Sequence, residues 1–240
     1  MTPEALTALI DATWPAAQIQ TQGPVTLRQG AGGGNRVSAA TVAPGWQPAD
    51  IEAAEKAMAA MGQPPLFMVR AGEEALDAHL DSRGYVVRDA TRLYLADARA
   101  LAIDTPGMTY TLWPPLAIQR ELWATGGIDA ARLAIMERAI GSKTTILGRL
   151  GWRSAGTAFV AMGDGRAMLH ALEVTKEARR QGLGVAILRA SALWAAENGA
   201  NELAILVTVA NEAANSLYIR SGAKLAGGYR YRARPNWDAV

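Results

Sequence analysis

Residues 177–191 read EARRQGLGVAILRAS, and no other stretch constrains the fold of the 240-residue chain as much. Gly182 and Gly184 follow a basic run and open directly into a segment where Val185, Leu188, Ala192 and Ala195 recur at helical spacing, closed by Asn198-Gly199. AMLHALEV (167–174) ahead of it reads as a strand, and ELAILVTV (202–209) after it reads as a buried strand. Such a succession implies mixed α/β layers, with one face of a sheet carrying the helix. The loop is also physically able to hold an anion. First-turn N–H groups lack intrahelical partners and the helix dipole adds positive charge there. Glycine lets a phosphate approach the backbone without a Cβ in the way. Arg179 and Arg180, with Lys176 nearby, can add charge-assisted bonds. Taken alone, R-x-x-G-x-G fits an ordinary turn with solvated arginines equally well.

The remaining elements follow from end signals and periodicity. TPEALTALIDATW is expected to be an amphipathic helix capped by Thr2, with Pro3 at its first position. VTLRQ (25–29) and RVSAATV (36–42) flank GAGGGN and read as a hairpin, a poor phosphate loop because no helix follows the glycines. Asp50 is expected to cap IEAAEKAMAAM, which Gly62 closes. PLFMVR (65–70), a helix ending at Gly84 and the long strand 85–96 complete the first part. From 108 onward the order is β, α, α, β, β, β, α, β, α, β, with a three-strand antiparallel meander over 143–174. The expected division is an accessory domain over 1–103 and a second domain over 104–240. LDAHLDSRG (76–84) and ANSLYIRSG (214–222) hint at an internal half-repeat.

Composition narrows the chemistry. Cysteine is absent, which excludes disulfides and a thiol nucleophile, and with only His79 and His170 no metal is expected. Formal net charge is +2, arguing against a dedicated nucleic-acid binder, yet residues 151–240 hold 11 Lys and Arg against 7 Asp and Glu. That local excess suits a small anionic ligand. No signal-peptide pattern and no apolar run of membrane-spanning length stands out, so a soluble cytoplasmic protein, monomer or homodimer, without membrane or nucleic-acid partners, is expected.

The loop gains meaning from a second motif, 27 residues after Gly184, where Asn211 opens NEAANSLYIRSG. Together, R-x-x-G-x-G at a helix start and N-x-x-A-x-x-L-Y-x-x-x-G resemble the GNAT superfamily of N-acetyltransferases over about 108–234, nearest to its ribosomal-protein and small-amine type. The resemblance implies a mostly antiparallel sheet flanked by helices and acetyl-CoA as cosubstrate. It puts Arg179, Arg180, Gln181, Gly182, Leu183, Gly184 and Val185 at the pyrophosphate, Leu172 and Val174 along the pantetheine arm, and Asn211 near it. It also implies that the first half is a degenerate copy, with Glu73 and Leu80 where Asn211 and Tyr218 stand. The expected reaction is transfer of an acetyl group to a primary amine of a small molecule or peptide N-terminus. The rival is a non-catalytic acyl-CoA-binding sensor or interaction protein, and succinyl- or malonyl-CoA are other conceivable donors.

Amine acylation needs a neutral amine. At pH 7 only about one lysine-like amine in 10³ is neutral, its pKa being ~10.4. Glu173, on the strand beside the thioester, is the candidate base, against its reading as a surface carboxylate. His170, three residues earlier, falls on the opposite face unless a bulge intervenes, and reads as a core or edge histidine. By the resemblance Tyr218 hydrogen-bonds the departing sulfur, against its reading as core packing. Complete proton transfer from phenol to thiolate is uphill by roughly 2 kcal/mol. The Val174 N–H is the candidate donor to the carbonyl. Trp113, Trp123, Trp152 and Trp194 read mostly as core; Trp123 alone falls where the family's acceptor loop lies.

Overall fold

The computed structural model describes residues 1–235. In chain order its elements are α1 (Pro3–Thr13), β1 (Gln18–Gln22), β2 (Val25–Gln29), β3 (Thr41–Val42), α2 (Pro48–Ala60), β4 (Leu66–Arg70), α3 (Glu74–Ser82), β5 (Val86–Asp97), α4 (Ala98–Leu101), β6 (Thr109–Leu112), α5 (Ala117–Thr125), α6 (Ala130–Arg138), β7 (Lys143–Leu150), β8 (Arg153–Gly163), β9 (Arg166–Val174), α7 (Leu183–Glu197), β10 (Glu202–Thr208), α8 (Glu212–Arg220) and β11 (Lys224–Ala233). The mixed α/β class and the order of the second half are as expected. Contacts group the described residues into two compact units that are discontinuous in sequence. One comprises Met1–Pro15, Arg92–Val207 and Asn211–Ala226; the other comprises Ala16–Thr91, Thr208–Ala210 and the described residues from Gly227.

In the first unit the strands run in the order β5, β10, β9, β8, β7, β6. The β6–β7, β7–β8 and β8–β9 pairs are antiparallel, whereas β9 and β10 are parallel. Helix α7 packs on one face through Leu183, Ile187, Leu188 and Ala192, all buried with Ile146, Ala158, Leu203 and Ile205. Two glycines make the close approach feasible: a Cβ at Gly148 or Gly156 would lie 2.7 Å from Ile187 Cδ1. Helices α1 and α5 cover the other face. Trp14, the α1 C-cap, packs against Phe159 of β8, and Gln119 of α5 donates to Thr157 Oγ1, two residues away on the same strand. Thr2 caps α1 by accepting from the Ala5 amide, with Pro3 first in the helix, as expected.

The second unit contains the three-stranded β1–β2–β3 sheet and the antiparallel β4–β11 pair. Its core gathers Val25, Leu27, Ile51, Met58, Phe67, Leu76, Leu80 and Tyr85. Two local expectations are corrected here. The second arm of the expected hairpin is only Thr41–Val42, because residues Asn35–Val37 form a 3₁₀ turn after Gly34. Asp50 does not cap α2; Gln47 does, and Asp50 sits at the third helical position, where its carboxylate accepts from the Gln47 amide. Strand β1, QIQTQ, pairs along β2 although all five of its residues are exposed.

Candidate functional site

The loop between β9 and α7 folds as its residues require. Gly182, at φ +84, occupies the left-handed region and is the N-cap of α7, so no side chain satisfies the amides of the first turn. Arg180 is also left-handed, at φ +63, a conformation a non-glycine residue adopts only at some cost in strain. Gly184 has a different reason for being glycine. A Cβ there would meet only Leu217 Cδ2, at 3.5 Å, an ordinary contact, so nothing inside the protein forbids a side chain. Its bare backbone instead leaves the helix N-terminus open to whatever lies outside.

The second part of the site is an interruption in the sheet. β9 and β10 pair only at Leu203 with Ala167, Ala204 with Met168 and Ile205 with Leu169. Beyond Leu169, β9 continues to Val174 with its β10-side edge unpaired. On its other side Glu173 pairs with Thr157 and Val174 with Gly156, and the Thr175 amide donates to Ala155 O at 2.9 Å. Antiparallel ladders bond alternate residues, so when Thr175 and Glu173 bond toward β8, Val174 and Leu172 turn their N–H and C=O toward the gap. The backbone groups expected to serve a pantetheine arm are those the register turns outward.

A β-bulge sits in the middle of this strand. Phe159 opposes His170 while Thr157 opposes Glu173, so one extra residue is accommodated on β9, and Ala171 there has φ +51. The bulge shifts the side-chain phase and puts His170 and Glu173 on the same face, the α1 and α5 face. His170 is buried, stacked on Trp14 at 4.8 Å between ring centroids, with Nε2 3.0 Å from Thr13 Oγ1. These contacts fit the core reading of that histidine. Trp123, fully buried, donates from Nε1 to the Ala171 carbonyl at 2.8 Å. It therefore clamps the bulge, which fits its reading as core.

Glu173 comes out of the bulge against the end of α5. A Cβ on Gly126, the α5 C-cap, would lie 2.7 Å from Glu173 Cγ and 2.9 Å from its Oε2. Arg179 approaches from the other side, donating from Nε to Val174 O at 3.1 Å and from Nη2 to Glu173 Oε1 at 3.2 Å. This ion pair is partly solvated, so it orients the carboxylate more than it stabilises the fold. Gly126→Ala is therefore expected to displace the Glu173 carboxylate.

These parts meet in one cleft of about 1010 Å³. Of the residues singled out from sequence, Leu172, Glu173, Val174, Arg179, Arg180, Gly182, Gly184, Val185 and Asn211 line it. Asn211 is the N-cap of α8 and accepts from the Ala214 amide at 3.1 Å. Three side chains lie off its wall. Leu183 is buried beneath the loop, Gln181 donates to Glu177 O, and Tyr218 is buried against Tyr94 with ring centroids 6.2 Å apart. Burial pushes the Tyr218 phenol up to about 12, and its hydroxyl has no hydrogen-bond partner among the described residues. Arg189 and Arg220 also line the cleft. Sequence reasoning missed both: Arg189 follows R-x-x-G-x-G within the same stretch, and Arg220 fills an unspecified position of N-x-x-A-x-x-L-Y-x-x-x-G. Among the described residues no cluster of ligating side chains could hold a metal ion.

The unpaired end of β9, the uncapped N-terminus of α7 and a carboxylate beside the bulge thus share one cleft. Residues 116–223, somewhat under half of the chain, match the family model described as "Acetyltransferase (GNAT) family". Solved structures agree in fold. A GCN5-related N-acetyltransferase from Kribbella flavida superposes with TM-score 0.74 at 19% identity, covering 97% of this chain and 95% of that one. One from Sphaerobacter thermophilus gives TM-score 0.62 at 12% identity, covering 90% and 78%. A tandem GNAT protein from the clavulanic acid biosynthesis pathway gives TM-score 0.61 at 16% identity, covering 88% and 78%. No curated protein matches the sequence significantly. The match over 116–223 supports acetyl transfer as the general activity.

Proposed function

We propose that the protein is an acetyl-CoA-dependent N-acetyltransferase acting on a primary amine of a small molecule or a peptide N-terminus. The observation that carries this reading is the continuity of one cleft from the unpaired β9 edge at Leu172 and Val174 to the uncapped first turn of α7. That shape fits acetyl-CoA: an extended arm that needs alternating backbone donors and acceptors, then a pyrophosphate that needs free amides. When bound, acetyl-CoA supplies an acetyl group activated as a thioester.

The chain's own groups then divide the work. The Leu172 and Val174 backbone orients the arm, and the Val174 N–H is a fixed donor to the acetyl carbonyl. The amides of residues 183–185 and the Arg180 guanidinium hold the pyrophosphate. Glu173 accepts the amine proton, with Arg179 and Gly126 fixing its position. Tyr218 donates a hydrogen bond to the departing sulfur. In support, its hydroxyl is unpartnered among the described residues, and its raised pKa keeps it protonated throughout the neutral range. Tyr218→Phe is expected to lower kcat about 10-fold or more with little change in KM for acetyl-CoA. A tyrosine that only packs against Tyr94 would leave kcat unaltered.

We also propose the first 103 residues as an accessory domain descended from a reduced copy. In support, α3 and α8 each span nine residues, with Glu73 and Asn211 as N-caps and left-handed Gly84 and Gly222 after them. Leu80 stands where α8 carries Tyr218, so that copy has no sulfur donor. No helix among the described residues is long and apolar enough to cross a membrane, and we place the protein in the cytoplasm.

The test of the donor is thermal unfolding with acetyl-, succinyl- and malonyl-CoA, followed by acetylation assays on an amine panel. Acetyl-CoA is expected to raise Tm and to be consumed with one of the amines. Absence of any Tm shift sinks the donor assignment. A shift with no turnover across the panel favours a sensor.

A further inference from the structure

Strand β1 is the outer strand of the β1–β2–β3 sheet, and all five of its residues are exposed, Ile19 at 47%. A free edge strand usually carries a charge, a proline or a bulge that discourages pairing with another chain. β1 carries none of these: it reads Gln-Ile-Gln-Thr-Gln in unbroken register with β2, and residues 12–27 hold no charged side chain. The register also fixes which backbone groups face outward. Gly23-Pro24 is a two-residue connection, so Gln22 and Val25 are the hydrogen-bonded pair that closes the hairpin. Alternate pairs then bond, Gln20 with Leu27 and Gln18 with Gln29. That leaves the N–H and C=O of Ile19 and Thr21 directed at the open edge.

We infer that this edge pairs with β1 of a second copy of the chain, antiparallel and about a two-fold axis beside Gln20, so that one sheet runs across a homodimer. The sequence is self-complementary in that register. Ile19 faces Thr21 of the other copy, so the outward groups of these residues exchange backbone hydrogen bonds, and symmetry repeats the exchange. On one face of the joined strands Gln18 meets Gln22 and Gln20 meets its own counterpart. Each side-chain amide offers both donors and an acceptor, so one glutamine suits another. On the other face the β-branched Ile19 and Thr21 come together, and the exposed Ile19 is covered. A neutral strand meets no repulsion from its copy, whereas an acidic or basic partner finds no opposite charge there. A five-residue strand from each copy makes a small interface, so the dimer is weak and concentration-dependent.

Sedimentation velocity of the full chain, without and with CoA, reads the association. The unsubstituted protein is expected to pass from monomer to dimer as concentration rises, whether or not CoA is present. Gln20→Lys sets two like charges opposite each other at the axis and should weaken the dimer about 10-fold or more. Gln20→Glu should do the same, and mixing the two variants should restore a dimer that added salt disperses. Thr21→Pro removes an outward N–H without touching a bond to β2, and should also weaken the dimer. The substituted side chains are exposed, so melting curves of the variants should match that of the parent. A parent that stays monomeric at every concentration overturns the inference, as does a dimer that Gln20→Lys leaves intact. Association that CoA disperses and the β1 variants do not affect runs through another edge, and overturns it too. Each of these results leaves the donor assignment standing.

Discussion

Glu173→Gln is expected to lower kcat at pH 7 by about two to three orders of magnitude, the usual contribution of a positioned general base. The substitution is close to isosteric, so the side chain still fits against Gly126, and its amide oxygen can still accept from Arg179. Only the ability to take a proton is lost. The reaction then depends on the small neutral fraction of the free amine, about one part in 10³ for a lysine-like acceptor. The rate of the variant should therefore climb about tenfold per pH unit toward the amine pKa, while the parent enzyme levels off near neutrality. Acetyl-CoA affinity, measured by calorimetry, should not change. A variant with the parent's rate and pH profile would remove Glu173 from the chemistry and return it to the role of a surface carboxylate.

Gly184→Asp is expected to act in opposite directions on folding and on binding. A Cβ at this position meets only an ordinary contact with Leu217. Aspartate replaces a poor helix former in the first turn of α7, where a negative charge is favoured by the dipole. The Tm of the free protein should stay level or rise. The same carboxylate points its charge at the position proposed for the pyrophosphate. At ~4 Å, with an effective dielectric near 20, each unit of like charge costs about 4 kcal/mol before screening. CoA affinity should fall by about 100-fold or more. Thermal unfolding without and with CoA reads both effects in one experiment. A destabilised free protein, or unchanged affinity, would mean that this turn does not face the donor.

Much of the fold was legible in the chain because local and global signals agreed. Thr2-Pro3 marks a helix start, the glycines after α2, α3 and α8 mark ends, and the alternation from 143 to 174 marks a meander. Legibility failed where no side-chain pattern encodes the outcome. The QIQTQ strand has no buried face to produce alternation, since its pairing with β2 is made by backbone groups. In α2 the favoured capping residue Asp50 turned out to serve from the third helical position, and a less common cap, Gln47, took the terminus.

The site was legible to a different degree. The glycine loop and Asn211 could be found because a left-handed turn and an N-cap demand particular residue types. The bulge at Ala171 could not, because alanine carries no mark of a positive φ. It reversed the expected face of His170 relative to Glu173 and gave Trp123 a backbone partner in the strand. Gly126 carries no mark of its role in the sequence, although its missing Cβ is what leaves room for Glu173.

The early end of the β9–β10 pairing, after Leu169 and Ile205, has a consequence for how the protein behaves before it meets its donor. An interior gap between two strands is an edge, and unpaired edges recruit extended chains. In the proposed complex the donor's arm completes the ladder much as an added strand would. Amides from Leu172 to Val174 should then exchange with deuterium quickly in the free protein and slow markedly once CoA is present. Purification and storage with CoA should, for the same reason, suppress self-association through that edge.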